Sequence, residues 1–332
     1  MNAGIVIIGR NEGERLARAL QSVRGSGLPV VYVDSDSRDG SVELARSSGA
    51  EVVALDGSAP MSAARARNSG FSKLMSLYPQ MTSVQFVDGD CEVCPGWLAR
   101  GVQELRASAT AAVVCGRVIE RQPEASIYNR LCDLEWRREP GEIKACGGIF
   151  MVRAELFAKV GGFREDVIAA EEDELCLRIR RDGWKILSLD ADMVRHDAAM
   201  TRFSQWWKRA KRCGHAYAQG AALHGHSPEQ HFVHQYRGLW IWGLLVPLTA
   251  LGLAWWTWGM SLFLLGLYPL LAFRVYRYGR RRGWSSRDAC LYSFFTVLAK
   301  WPMLMGMVQY HSNQWRGRRP VLIEYKEVGK IV

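Results

Sequence analysis

The first ninety residues of the chain alternate between short apolar runs and longer segments with an apolar residue at every third or fourth position. Short runs of this kind are typical of buried strands, and the longer spacing is typical of amphipathic helices. The predicted strands are residues 3–8, 29–33, 51–55 and 83–87, and the predicted helices are residues 12–23, 42–48 and 63–77. This alternation predicts an α/β fold whose mostly parallel sheet is covered on both faces.

Carboxylates follow two of the predicted strands at the point where each strand ends. Asp34 comes after Val33, and Asp88 comes after Val87. Because ligands of such sheets gather at the carboxyl ends of strands, we expect Asp34 and Asp88 to face one crevice. Asp90 adds a carboxylate that can share a divalent cation with Asp88, although an acidic turn after a strand can also be only a polar turn. These positions predict a nucleotide-binding domain.

Two common phosphate-binding loops are missing from the sequence. A dinucleotide-binding fold needs Gly-x-Gly-x-x-Gly after its first strand, where this chain has Gly9-Arg10-Asn11-Glu12-Gly13. The chain also lacks a Gly-x-x-x-x-Gly-Lys-Ser/Thr segment. We therefore expect a metal ion and cationic side chains such as Arg65 to neutralise phosphate charge.

A long apolar run changes this picture of a simple α/β protein. Residues 238–273 contain no charged residue and no histidine across 36 positions. A spanning helix needs about 20 residues and tolerates about 17, so the run predicts a membrane hairpin that turns near Thr257-Trp258-Gly259. Basic residues on both flanks, among them Arg237 and Arg274, predict that both ends face the cytoplasm. Residues 289–310 contain Lys300 and Pro302, which favour an interfacial helix over another span.

The net charge of +10 and the pI near 9.3 do not require a nucleic-acid partner. Much of the excess positive charge flanks the apolar run, where it can interact with anionic lipid head groups. The short apolar run at residues 5–8 is not a secretory signal, so we expect the N-terminal domain in the cytosol. Eight cysteines are then reduced thiols, and Cys91 and Cys94 are interpreted as packing residues because no second pair stands at zinc-like spacing.

Several ordered motifs carry a resemblance to a known family. They are Ile7-Ile8-Gly9-Arg10-Asn11-Glu12, Val33-Asp34-Ser35-Asp36-Ser37-Arg38-Asp39-Gly40-Ser41, Ala64-Arg65-Ala66-Arg67-Asn68-Ser69-Gly70, Val87-Asp88-Gly89-Asp90, Gly147-Gly148-Ile149-Phe150-Met151-Val152-Arg153, Val160-Gly161-Gly162-Phe163 and Glu171-Glu172-Asp173-Glu174-Leu175-Cys176-Leu177-Arg178. Together they resemble the family 2 inverting glycosyltransferases over roughly residues 3 to 220. The resemblance implies a GT-A fold, with a Rossmann-like mixed sheet, followed by C-terminal membrane helices.

The resemblance also implies which residues bind the donor. The principal metal ligand would be Asp90, helped by Asp88 or His196, and the metal would be Mg²⁺ or Mn²⁺. Structural roles stay open for two of the residues implied to bind the donor, because Asn68 could instead cap a turn and Arg65 could instead be a surface cation. The residues implied to bind the nucleotide sugar are Asn11, Asp34, Asp36, Arg65, Asn68 and Asp88.

The acidic motif departs from the commoner Glu-Asp form of that family. Alignment through Glu174 sets Glu172 where the family usually has its catalytic Asp, and Asp173 is the neighbouring rival. Which of Glu171, Glu172 and Asp173 is the base stays open, with Glu172 preferred. Acids at a helix start can also merely complement the helix dipole.

The implied reaction is inverting transfer of one sugar from a nucleotide-diphosphate sugar, with UDP preferred. Its implied acceptor is a hydroxyl of a polyprenyl-diphosphate glycan at the cytoplasmic face of a bacterial inner membrane, in exopolysaccharide or surface polysaccharide assembly. A processive polysaccharide synthase is an alternative, but Gln205-Trp206-Trp207-Lys208-Arg209 lacks the Gln-x-x-Arg-Trp order of those enzymes. A non-catalytic scaffold or nucleotide-sugar sensor is the alternative from another class.

The predicted domain organisation follows from these features. The glycosyltransferase domain is expected at residues 1–220, and a basic connector at 221–237. The hairpin is expected at 238–273, and a basic segment with the interfacial helix and a cytosolic tail at 274–332.

Overall fold

The computed structural model describes residues 2–57 and 60–318 of the 332-residue chain. These residues form two compact units. The sheet unit comprises residues 2–123 and 135–199, and the helical unit comprises residues 124–134 and 200–318. The predicted boundary at residue 220 lies inside the helix Phe203–His224 of the helical unit. The predicted cytosolic tail lies, from residue 319 onwards, outside the described residues.

The elements of the sheet unit follow the predicted alternation closely up to Asp88. Its strands are β1 (Ala3–Gly9), β2 (Val30–Asp34), β3 (Glu51–Ala54), β4 (Ser83–Asp88), β5 (Cys91–Val93), β6 (Ala111–Glu120), β7 (Gly141–Ile143), β8 (Phe150–Arg153) and β9 (Lys185–His196). Its helices are α1 (Glu14–Val23), α2 (Ser41–Ser47), α3 (Ala63–Leu77), α4 (Trp97–Ala107), α6 (Ala154–Lys159) and α7 (Glu171–Arg181), while α5 (Ile127–Trp136) begins in the helical unit and ends in the sheet unit.

The strands form one mixed sheet in the order β3-β2-β1-β4-β8-β6-β9-β5, with β7 paired to β9. The pairs among β1, β2, β3 and β4 are parallel, as the alternation predicts. Beyond β4 the pattern changes, because β8 pairs antiparallel with both β4 and β6. The mixed α/β sheet that the resemblance implied is therefore confirmed, whereas a mostly parallel sheet describes only the first half.

Strand register brings the two predicted carboxylates to one edge of the sheet. β1 lies between β2 and β4, with Gly9 opposite Asp34 and Ile8 opposite Asp88. Neighbouring strands are about 4.8 Å apart, so the backbones of Asp34 and Asp88 flank the end of β1 at a separation of about 10 Å. Asp34 and Asp88 therefore lie at the same edge of the sheet, as expected, and a shared ligand crevice at these strand ends stays a prediction.

Close packing of α3 on the sheet fixes the helix that carries the Arg65-to-Gly70 motif. A Cβ atom on Gly70 would lie 2.3 Å from Cγ1 of Val6, and one on Gly4 would lie 2.5 Å from Cδ2 of Leu74. Any larger residue at Gly4 or Gly70 would therefore push α3 away from β1. This close packing of α3 against β1 allows polar side chains of α3 to be buried inside the sheet unit.

The helical unit consists of helices with short connections. They are α8 (Phe203–His224), α9 (Val233–Leu239), a π-helical turn at Trp240–Leu245, α10 (Val246–Gly252), a 3₁₀-helix at Met260–Gly266, α11 (Leu267–Arg281), α12 (Ser286–Leu298) and α13 (Lys300–Trp315). Helices α8 and α13 cross at glycines, since a Cβ on Gly214 would lie 1.9 Å from the carbonyl oxygen of Met303. Close backbone approach of this kind holds the pair together.

The uncharged run folds back on itself within the helical unit. Ser261 Oγ donates a hydrogen bond to the carbonyl oxygen of Ala250 at 2.7 Å, and the Tyr268 hydroxyl donates to that of Trp242. The chain reverses between α10 and the 3₁₀-helix, in a turn that leaves Trp255, Trp256 and Trp258 largely exposed. The predicted turn near residues 257–259 falls inside this reversal.

Two helical stretches of the described residues are long and apolar enough to cross a membrane. They are Met260–Arg281, which is the second arm of this hairpin, and Ser286–Trp315. The second stretch contains the segment 289–310, whose interfacial placement stays a prediction. Core helices of soluble proteins share the same length and composition, so this finding supports membrane insertion only weakly.

Candidate active site

Strand pairing brings the predicted metal ligands together although they are far apart in sequence. Strand β5 runs antiparallel to β9 with Cys91 opposite His196, and the N–H of Asp197 donates to the carbonyl oxygen of Asp90 at 3.0 Å. As a result, His196 Nε2 lies 3.2 Å from Asp90 Oδ1, and Cys91 Sγ lies 3.4 Å from the same oxygen. Asp90, Cys91 and His196 are all buried and form a group that could hold a metal ion.

The protonation states of this group fit a metal site. Burial lowers the pKa of His196, against the opposing effect of nearby carboxylates such as Asp88 and Glu120, which favours the neutral imidazole that metals bind. His196 Nδ1 is buried and has no hydrogen-bond partner among the described residues. Carboxylate oxygen suits Mg²⁺ or Mn²⁺, and an imidazole nitrogen favours Mn²⁺ of the two. Asp90 and His196 therefore fit the cation that the resemblance implied.

Cys91 is the member of this group that the sequence did not single out as a ligand. Its side chain is fully buried in the core of the sheet unit, in agreement with the interpretation as a packing residue. Burial raises the pKa of the Cys91 thiol, and the nearby Asp88 carboxylate adds to the effect. A neutral thiol is a poor ligand for a hard cation.

The acidic motif occupies the first turn of α7. The helix begins after Ala170, whose φ of 56° is left-handed, a conformation that costs energy in a residue other than glycine. Glu174 forms a two-oxygen ion pair with Arg178 of the same helix and is buried. Glu174 therefore has a structural role, and the preceding acids remain the candidates for the base.

The three candidate bases differ in burial, in hydrogen bonding and in pKa. Glu171 is buried and accepts a hydrogen bond from Arg67 at 2.7 Å. Glu172 and Asp173 are half-buried. Burial raises the pKa of Glu172 to about 8, with Glu171 and Asp173 adding to the shift, and burial raises the pKa of Asp173 to about 6 against the opposing charge of Arg138. A carboxylate with a raised pKa is the better proton acceptor, which favours Glu172.

Arg67 is a site residue that the sequence interpretation missed. Its guanidinium donates to Asp88 Oδ1 at 2.8 Å as well as to Glu171. The sequence spacing does indicate that Arg67 is buried, because Arg67 stands three residues after Ala64 and three before Gly70, on the apolar face of α3. A charged residue on a buried helical face needs charged partners. The resemblance instead drew attention to Arg65.

The predicted nucleotide-binding residues Asp34 and Asn11 mainly hold the loop that follows β2. Asp34 is buried, and its oxygens accept hydrogen bonds from the Tyr32 hydroxyl at 3.0 Å and the Ser37 N–H at 2.8 Å. Asn11, with a left-handed φ of 54°, donates its N–H to Ser37 Oγ and accepts from the N–H of Arg38 through its side chain. These bonds fix the loop between β2 and α2 beside the crevice.

Three other predicted donor-binding side chains have protein partners. Asp36 is exposed and pairs with Arg10 at 3.9 Å. Arg65 donates to Asp56 at 2.6 Å. Asn68 donates to the carbonyl oxygen of Phe163 and accepts from the N–H of Phe163, each at 2.9 Å. The structure therefore joins Asn68 to the loop after α6, whereas Arg65 bonds to Asp56.

The paired hydrogen bonds of Asn68 lead to a stability prediction. We expect Asn68→Ala to lower the free energy of unfolding by about 1–3 kcal/mol, because the Phe163 N–H and C=O would lose their partners. Urea unfolding measures the change, and Ser69→Ala is the control, expected within about 0.5 kcal/mol of wild type. Unchanged stability together with weakened nucleotide binding would show instead that Asn68 binds the donor directly.

A solved glycosyltransferase structure shares the fold over most of the chain. The mannosyltransferase PcManGT from Pyrobaculum calidifontis, in complex with GDP-Man and Mn²⁺, matches with a TM-score of 0.57 at 16% identity, covering 94% of this chain and 88% of that chain. Its likeness, together with the mixed sheet and the acidic strand end, defines the fold as that of the GT-A glycosyltransferases. Residues 4–161 match the family described as glycosyl transferase family 2, so the chain carries a family 2 glycosyltransferase domain.

A second similar structure covers a smaller part of the chain. The glucosyl-3-phosphoglycerate synthase from Mycobacterium tuberculosis, in complex with Mn²⁺, UDP and phosphoglyceric acid, matches at 16% identity and a TM-score of 0.47, covering 65% of this chain and 76% of that chain. No curated protein sequence is significantly similar to this chain.

Proposed function

We propose that this protein is a metal-dependent inverting glycosyltransferase that moves one sugar from a UDP-sugar to a hydroxyl group of a lipid-linked glycan. One observation carries the proposal. A single buried arginine, Arg67, hydrogen-bonds both Asp88 of the acidic turn and Glu171 of the acidic motif. The metal-binding turn and the candidate base are thereby neighbours, as a displacement at the anomeric carbon requires.

The residues of the sheet unit support a specific division of work. Glu172 takes the proton of the acceptor hydroxyl as that oxygen bonds to the anomeric carbon, while the bond from this carbon to the diphosphate breaks. Attack from the side opposite the leaving group inverts the anomeric configuration. Asp90 and His196 would hold the cation, while Asp88, two residues before Asp90, accepts a hydrogen bond from Arg67. Mg²⁺ or Mn²⁺, when bound, stabilises negative charge on the leaving nucleoside diphosphate.

The donor base is the part of the proposal that binding measurements decide most easily. A uridine nucleotide follows from the family resemblance, and the mannosyltransferase with the same fold was solved with GDP-Man. Guanosine is therefore the alternative donor base. Both nucleotides would use the same carboxylates and the same cation, so the mechanism does not depend on the choice.

The proposed acceptor rests on the helical unit. Its uncharged hairpin exposes apolar side chains along Met260–Arg281, and arginines such as Arg237 and Arg274 flank the uncharged run. An arrangement of this kind suits a hairpin inserted from the cytoplasmic face of a membrane. A polyprenyl-diphosphate glycan presents its sugar at that face, so we propose such a glycan, in bacterial exopolysaccharide or surface polysaccharide assembly, as acceptor.

Transfer assays with the detergent-purified protein test the acceptor. Radiolabelled UDP-sugars and GDP-sugars would be offered with polyprenyl-diphosphate glycans or with soluble protein acceptors, and the products would be separated by size. One added sugar per lipid-linked acceptor supports the proposal, and many added sugars would favour a processive synthase. Transfer only to soluble acceptors would overturn the lipid-linked part.

The raised pKa of Glu172 predicts the pH dependence of turnover. Only the deprotonated carboxylate accepts a proton, so kcat/KM should rise about tenfold per pH unit below the pKa of Glu172 and level off above it. With that pKa at about 8, activity should still be rising at pH 7. Rates measured between pH 5.5 and 9.5 check this, and a plateau that already begins at pH 5 would contradict it.

A further inference from the structure

Arg67 contacts a carboxylate on each side of the candidate site. Its Nη2 donates to Asp88 Oδ1 at 2.8 Å, and its Nη1 donates to Glu171 Oε1 at 2.7 Å. Arg67 and Glu171 are each 3% exposed, whereas the Asp88 side chain is 33% exposed. The guanidinium therefore links the end of β4 to the first residue of α7 from inside the protein.

The surroundings of Arg67 hold the guanidinium plane in one orientation. A Cβ atom on Gly148 would lie 2.4 Å from Arg67 Nη2, so only glycine fits beside it. The ring of Phe163 lies 5.4 Å from Arg67 Cζ, a distance suited to a cation–π contact. A planar guanidinium presents its donors in a rigid fork that can serve two carboxylates at fixed angles, whereas the rotatable ammonium of a lysine does not fix those angles.

The acidic motif needs such a restraint. α7 starts directly after Ala170. The left-handed backbone conformation of Ala170 persists only where the surrounding structure enforces it. The Arg67–Glu171 ion pair is a buried contact that holds this helix start. Glu172 is the next residue, so its orientation depends on the same contact.

We infer that Arg67 is a positioning residue that fixes the acidic motif, and with it Glu172, relative to Asp88. This role rests on the proposed function, since it assigns Glu172 as the base. Arg67 acts through its two partners. The charged groups that act on Glu172 are Glu171, Asp173 and Arg67, and Arg67 alone among them favours the ionised carboxylate.

Two substitutions at Arg67 separate its charge from its shape. We expect Arg67→Met to lower kcat by about 100-fold or more and to move the acidic limb of the kcat/KM profile upward by at least about one pH unit, because the cation near Glu172 is gone. Arg67→Lys should keep that limb within about half a unit while kcat falls about tenfold, because a lysine ammonium lacks the rigid planar fork that holds both carboxylates at fixed angles. An unmoved limb in Arg67→Met, or wild-type turnover in that variant, would overturn the inference.

Arg153 provides the matched control. It is an arginine of the same unit whose guanidinium donates to the backbone carbonyl oxygens of Ala111 at 2.8 Å and Ser108 at 2.7 Å. Arg153→Met should lower the melting temperature but leave the position of the pH limb unchanged. A purely structural role for Arg67 would make both methionine variants behave alike.

A stability measurement tests the contact without relying on turnover. In Arg67→Met the buried Glu171 carboxylate has lost its cationic partner, and an unpaired buried carboxylate destabilises the fold most when it is ionised, so this variant should lose stability as the pH increases from about 5 to 8. The folding equilibrium constant should fall at least about tenfold more over this range than in wild type. The excess should largely disappear in Arg67→Met/Glu171→Gln, because Asp88 is partly solvated.

These measurements separate failure of the inference from failure of the proposed function. A wild-type protein that transfers sugar, together with an Arg67→Met variant whose pH limb and pH-dependent stability match wild type, would refute the inference alone. A folded wild-type protein that transfers no sugar would refute the proposed function, and the assignment of Arg67 to a catalytic base would fall with it.

Discussion

Glu172→Gln is expected to lower kcat by about 10²–10⁴-fold while nucleotide affinity stays within about twofold of wild type. Glutamine has nearly the same shape as glutamate but cannot accept the proton of the acceptor hydroxyl. Glu172 is half-buried on the first turn of α7, and no side chain of another described residue hydrogen-bonds it, so the substitution leaves the surrounding contacts in place. Steady-state rates and calorimetric titration of the same preparation give the two numbers.

Its neighbours provide the controls for the base assignment. Asp173→Asn should reduce kcat by less than about tenfold, because the pKa of Asp173 is raised only to about 6 and the side chain faces the opposing charge of Arg138. Glu172→Asp restores the residue that the family usually has at this position and should keep measurable turnover. Full turnover in Glu172→Gln with loss in Asp173→Asn would move the role of base to Asp173.

Asp90→Ala is expected to abolish the metal dependence of nucleotide binding. Loss of groups that merely support a ligand costs about 10–100-fold in metal affinity, so removal of a ligand itself should cost at least about 100-fold. Asp90 is buried and lies 3.2 Å from another proposed ligand, His196 Nε2. Titration of UDP and GDP with and without Mn²⁺ measures the loss.

Asp190 supplies a matched control for that titration. It lies on β9, the strand of His196, but it is exposed and pairs with Arg117 at the surface. Asp190→Asn should leave metal-dependent binding unchanged. Asp90→Asn, which keeps the shape of the side chain, guards against loss of folding in the alanine variant. Full metal-dependent binding in a folded Asp90→Asn protein would remove Asp90 from the metal site.

The sequence predicted the first half of the sheet well because apolar spacing is a local signal. The four predicted strands and three predicted helices up to Asp88 all form, with ends shifted by at most two residues. The largest shift is at α1, which begins at Glu14 rather than at residue 12 because Asn11 and Gly13 have left-handed φ angles. Such angles follow from loop hydrogen bonds that spacing does not reveal.

The second half of the fold depends on pairings that periodicity cannot show. The antiparallel insertion of β8 and the pairing of Cys91 with His196 join residues far apart in the chain. The division into units has the same origin, because residues 124–134 group with residues 200–318 rather than with their sequence neighbours. The predicted domain limits therefore reflect composition along the chain and contain no information about contacts between distant segments.

In the candidate site, the sequence identified the residue types, but it did not show the environment of each residue. The motifs identified the chemically capable carboxylates, and the structure gathers Asp90 with His196 and Asp88 with Glu171. Two arginines stand two positions apart on α3, and burial alone distinguishes the buried Arg67 from Arg65, which bonds to Asp56. Environment likewise raises the pKa of Glu172 to about 8 and that of Asp173 to about 6, which the residue types alone do not show.

Calorimetric titration of the detergent-purified wild-type protein with UDP and GDP, each with and without Mn²⁺, tests most directly whether the chain is a metal-dependent nucleotide-sugar transferase. We predict that one nucleotide binds in the presence of Mn²⁺ and that this binding is lost when the metal is chelated. Absence of binding to both nucleotides, in protein shown to be folded, would contradict the proposed function and favour a non-catalytic scaffold.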